Sequence, residues 1–272
     1  MQRISLSFFY GLGASLHPVE NLAAGMKIGD IWGTVYSAEN DLRSLLATDW
    51  FAPALRNAVT PGLTLLQVLK SITDKTDFDS ELTHSESYAT KNALKEFETI
   101  LRAELSNADA YYVTRKAGYD SLLLVENAEN LFPNAIGLKV PASIADIRAA
   151  GRCLAFELGT ASGFHIFRAV ETVVRSYWDA VSNGVKHPDL KTLGNYAAEL
   201  ERSNFGELKT RETLKQMAKL HRNPLIHPEV NLDIEEAIGL FGICYSCIAA
   251  MLNEIPLPPT PIALSLPAAL KP

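Results

Sequence analysis

The chain has 272 residues, with 25 Lys and Arg against 31 Asp and Glu and a formal net charge of −6. With 47% hydrophobic and 21% charged residues it has the makeup of a folded protein of one large or two average domains, which excludes disorder as the main state and argues against a general nucleic-acid coat. Three cysteines build no disulfide framework and point to reduced thiols in a cytoplasmic setting.

In chain order, the first apolar stretch is ISLSFFYGLGASLHPV (4–19). Ser and Gly interrupt it, and it runs into His17-Pro18 without a small-residue cleavage site, so no secretory signal is expected. Gly11-Leu12-Gly13 lacks the third glycine of a dinucleotide fingerprint and implies no cofactor. Apolar residues spaced by three and four predict helices over 36–46, 63–73 and 88–105. The run AYYVTRKAGYDSLLLV (110–125) has β-branched and aromatic residues around Lys116-Ala117-Gly118 and predicts a short β-hairpin. Gly137 and Pro141 in AIGLKVPAS (135–143) precede the N-cap pattern Ser143-x-x-Asp146, which sets a domain boundary there. Residues 1–140 thus form an acidic, mostly helical domain of no assigned role. The charge divides accordingly: 12 basic and 17 acidic residues over 1–142, against 13 and 14 over 143–272.

The second half has clearer periodicity. A long helical pattern over 143–181 ends at the C-cap signal Ser182-Asn183-Gly184, and Gly159 and Gly163 within it mark a kink or a close helix contact. Helices over 190–202, 207–222 and 232–255 follow through short connections, which predicts an antiparallel four-helix unit over 141–255. The tail 256–272 holds six prolines and is expected to be extended. Residues 237–253 carry no charge and reach the lower length limit of a membrane span. They lack Lys or Arg anchors, so a buried bundle helix is the expected reading and membrane anchoring the alternative. Cys244-x-x-Cys247 lies inside this run with no second ligand pair, which favours buried small residues over a metal or redox site.

The informative stretch is His221-Arg222-Asn223-Pro224-Leu225-Ile226-His227-Pro228. An Arg followed by a His after four to six intervening residues is expected roughly 0.8 times by chance in this composition. A four-residue gap with Asn, Asp or His directly after the Arg lowers that to roughly 0.03. With Arg222-Asn223-x-x-x-His227 at the end of the third helix of the unit, and Phe164-His-Ile-Phe-Arg-Ala-Val-Glu-Thr-Val-Val-Arg175 in the first, residues 143–255 resemble the HEPN superfamily (higher eukaryotes and prokaryotes nucleotide-binding). The resemblance implies a compact all-α bundle, and in many members a metal-independent ribonuclease whose motifs face each other across a homodimer. Pro224 and Pro228 depart from an uninterrupted helix and are expected to place His227 on a loop.

The residue types suit that chemistry. Metal-free RNA cleavage needs a base for the 2′-hydroxyl proton, an acid for the leaving 5′-oxygen and a cation for the crowded phosphorane. His titrates near neutrality and Arg forks onto phosphate oxygens. His227 is therefore the candidate acid/base, Arg222 the phosphorane stabiliser and Asn223 the residue that positions the pair. The expected partner is single-stranded RNA, and DNA lacks the required hydroxyl. Arg211, Lys215, Lys219 and Arg222 recur at spacings of four, four and three, a positive stripe suited to phosphates or simply a solvated face. Arg168, Glu171 and Arg175 share a face of the first helix. Intrahelical ion pairs are the plain reading there, and by resemblance Glu171 and Arg175 border the site. His165 and His187 are read as packing or loop residues. In bacteria the superfamily serves toxin–antitoxin and anti-phage systems, which implies an inhibitor protein as partner. The competing reading is a non-catalytic bundle that binds nucleotide, RNA or another protein.

Overall fold

A computed structural model describes residues 5–48, 51–108, 110–222, 225 and 229–258. Among them the protein is mainly helical, without a strand. Contacts divide it into two units, Met1–Tyr111 and Tyr112–Pro272.

The first unit is built from α1 (Leu6–Leu16), α2 (Ile28–Leu46), α3 (Val59–Thr73) and α4 (His84–Ser106). In α2, Ile28, Ile31, Val35, Ala38, Leu42 and Leu45 recur at alternating steps of three and four, so one stripe is buried and packs on α3. Phe97 of α4 completes this core, and Gly62 of α3 lets the ring approach to 3.1 Å of where a Cβ would stand. Thr83 and Glu86 form a reciprocal capping box that starts α4. All three helices predicted here exist, and each begins a turn or more before its predicted start.

The second unit contains α5 (Ser121–Glu126), α6 (Ile144–Ala155), α7 (Gly159–Val181), α8 (Leu193–Ser203), α9 (Leu208–Met217) and α10 (Ile234–Glu254). Its core runs from Leu124 to Ile255 and includes the fully buried Trp178, Tyr177 and Tyr196. Leu124, Ala128, Phe132, Ile136 and Val140 belong to that core, so residues 112–140 pack with the C-terminal helices. The predicted hairpin is corrected. A single antiparallel bridge, Lys116 to Tyr119, closes a tight turn, and residues 121–126 are helix capped by Asp120.

The long helix predicted over 143–181 is two helices. The chain closes α6 with Glu157 in the left-handed region (φ 63), Leu158 N donating to Cys153 O at 2.8 Å and Glu157 N to Leu154 O at 3.2 Å. Lys116, almost wholly buried, donates to Glu157 Oε1 at 2.8 Å and holds that corner. Gly159 then starts α7 beside the backbone preceding α10, where a Cβ would lie 2.4 Å from Leu232 O. Ser143 starts α6 as expected but makes no side-chain cap, since its hydroxyl donates to Val140 O. The predicted stop after α7 is present, with Asn183 and Gly184 both at positive φ. Helix α10 is long and apolar enough to cross a membrane. One of its faces, including Phe241, Cys244, Cys247, Ile248 and Met251, is buried in the core and packs chiefly on α7. Burial pushes the Cys247 thiol up to about 12 and raises that of Cys244 as well, so both remain protonated at neutral pH.

Candidate functional site

Helix α7 lays Phe164, Phe167, Arg168 and Glu171 along one wall of a cleft of about 170 Å³, which Arg222 and Leu225 close from the other side. Arg222 arrives there through an irregularity. After Met217 the helix continues as one π-helical turn, Ala218–Arg222, whose wider bonding displaces the residues beyond Met217 from the register of α9. Its guanidinium donates from Nε at 3.3 Å and lies 3.2 Å through Nη2 from Glu171 Oε1. Both side chains are largely buried, at 23% and 18% exposure. This pair joins residues that are adjacent only in the folded chain. The intrahelical partners expected for Glu171 are replaced by this cross-link.

A second carboxylate organises the upper end of the same wall. Asp146 of α6 accepts from His165 Nδ1 at 3.2 Å on Oδ1, and the same oxygen forms an ion pair with Arg168, 3.2 Å from Nε. Neither Asp146 nor His165 stands out as a candidate in the sequence. Ser143-x-x-Asp146 has a sufficient explanation as a capping pattern, and no spacing links position 146 to 165 across the α6–α7 corner.

The remaining described candidates do not line this cleft. Asn223 and His227 lie outside the described residues. Arg175 is exposed and acts on the buried Tyr196 hydroxyl, whose pKa is raised by burial and by Asp179 against the opposing pull of Arg175. Beside it, His187 is tied at both nitrogens, Nδ1 to Tyr196 Oη at 2.8 Å and Nε2 to Asp179 Oδ1 at 2.8 Å. Of the predicted stripe, Arg211 donates to Gly206 O at 2.6 Å and Lys215 to Glu201 Oε1 at 2.5 Å, so α8 and the turn after it occupy both cations. Lys219 is exposed and has no ion-pair partner among the described residues. A larger neighbouring cleft, about 360 Å³, is lined mainly by apolar groups such as Leu220, Leu232 and Ile243, with His221 and Glu236 the polar members.

No family model, curated protein or solved structure matches the chain.

Proposed function

We propose that the C-terminal unit is a metal-independent endoribonuclease of the HEPN type, with α7 to α10 as its four-helix bundle, that acts as a homodimer in the cytoplasm, in a toxin–antitoxin or anti-phage role. The observation that carries this reading is the cleft in which Arg222 and Glu171 meet beside Arg168. Arg222 belongs to the RN-x-x-x-H motif and Glu171 to the first-helix pattern, and their side chains share one solvent-reaching concavity. Guanidinium groups at such a place can fork onto the oxygens of an RNA phosphate and stabilise the charge that builds on the phosphorane. His227 remains the acid/base candidate from the motif, Asn223 its positioning neighbour, and Arg175 and Lys219 the cations that follow the strand away from the cleft.

A second reading, a non-catalytic RNA-binding or protein-interaction module, is favoured by the same ion pair, because Glu171 already neutralises Arg222. The two readings separate when single-stranded RNA is incubated with purified protein in EDTA. The nuclease reading expects a 2′,3′-cyclic phosphate and a 5′-hydroxyl as products, and a rate lower by roughly 100-fold or more in Arg222→Ala and in His227→Ala. Equal cleavage by wild type and both variants, or none by any, would overturn it.

A further inference from the structure

Cleavage through a cyclic phosphate needs two proton transfers, and the RN-x-x-x-H motif offers one histidine per chain. We infer that His165 is the general base for the 2′-hydroxyl, with Asp146 as its positioning residue. The assignment rests on the ribonuclease reading of the cleft and adds a residue to it from the same chain.

Three observations converge on His165. Asp146 Oδ1 lies 3.2 Å from its Nδ1 and 3.2 Å from Nε of Arg168, a wall residue of the cleft. The ring therefore shares one carboxylate oxygen with a guanidinium that lines the concavity. With the Nδ1 proton donated to a carboxylate, Nε2 is left carrying the lone pair, the tautomer a base requires. The side chain is 34% exposed and Nε2 has no partner among the described residues.

The other two described histidines of this unit each lack one of these properties. His187 has both nitrogens engaged, so none is free for a substrate. His221 lines the neighbouring cleft and has no carboxylate bonded to its ring among the described residues.

In the step assigned to His165, Nε2 takes the 2′-hydroxyl proton as the oxygen pair forms the bond to phosphorus. The P–O5′ bond breaks, its electron pair leaves with the 5′-oxygen, and that oxygen takes a proton from the acid. Arg168 and Arg222 face the two non-bridging oxygens.

Two substrates distinguish a base from an acid. A uridine 3′-(4-nitrophenyl phosphate) has a leaving group that needs no protonation, yet its 2′-hydroxyl must still be deprotonated. His165→Asn, checked for an unchanged melting temperature, is expected to lose roughly 100-fold on both RNA and the nitrophenyl ester. Asp146→Asn is expected to lose less on both, because it disturbs orientation and leaves the base in place; it also serves as the reporter should His165→Asn fail to fold. If wild type cleaves and His165→Asn stays within about twofold of it, or if the defect appears on RNA only, the assignment falls while the ribonuclease reading stands. If wild type cleaves neither substrate, the reading falls and takes the assignment with it.

Discussion

At Glu129, hydrogen bonds from the Arg148 guanidinium hold the carboxyl below the usual carboxylate range. Arg148 and Arg152 both project from α6, and Arg152 Nε donates to Val125 O at 3.1 Å, so two cations clamp the 121–131 segment onto that helix. A depressed carboxyl stabilises the fold above its unfolded value, and that stability is lost as pH falls through the folded value. From the ordinary value of 4.5 downward, the urea midpoint of the wild type is therefore expected to drop with pH. Glu129→Gln should start lower at neutral pH and show a flatter acid limb. Parallel curves for the two proteins would show that the pair contributes nothing.

The same use of a carboxylate recurs at the level of a helix. Helix α9 starts without a side-chain cap of its own, and Glu254 at the end of α10 supplies what is missing. It accepts from Glu207 N at 2.9 Å, from Thr210 Oγ1 at 2.9 Å and from the hydroxyl of the fully buried Tyr177 at 2.8 Å. Burial first, and this carboxylate second, raise the Tyr177 pKa, which keeps the hydroxyl a donor. Gly206 makes room for the arrangement. Its φ is +70, and a Cβ there would sit 1.8 Å from Tyr177 Oη. Glu254→Ala leaves a buried hydroxyl and the start of a helix unsatisfied, so a loss of about 2–3 kcal/mol is expected in chemical unfolding. Combined with Tyr177→Phe, the cost should fall short of the sum of the two, since both variants remove the same bond. Because α9 leads directly into the π-helical turn that ends at Arg222, this anchor also sets where the cleft's guanidinium arrives.

For the whole molecule, the two hydrophobic cores have no buried residue in common. A fragment spanning 112–272 is therefore expected to fold by itself, with a cooperative thermal transition followed by circular dichroism. Cutting at 141 instead removes Leu124, Ala128, Phe132, Ile136 and Val140 from the core. At roughly 1.5–3 kcal/mol for each fully buried large aliphatic or aromatic side chain, that loss is comparable to the entire stability of a domain. The shorter fragment should give a broad, non-cooperative transition. Equal cooperativity in both fragments would contradict a core-completing role for 112–140.

Much of the helical framework was legible in the residues. Residues 36–46 of α2 and the long apolar pattern of α7 repeat at the helical period, and Ser182-Asn183-Gly184 marks a stop by its chemistry alone. The break at Glu157 was not legible, because Glu has no local preference for the left-handed region. A buried lysine 41 residues earlier in the chain holds it there. Local pattern likewise singled out Arg222, and the resemblance Glu171, without showing that they meet. The sequence by itself determined that the chain is helical, where most helices lie, and which Arg motif stands apart from chance. Only the tertiary structure decided that residues 112–140 complete the second core, that α8 and the turn after it engage two of the stripe's cations, and that Asp146 holds His165 and Arg168 beside Arg222. Helical periodicity is a property of neighbours in the chain, whereas a site is made by side chains whose separation in sequence carries no information about their distance in space.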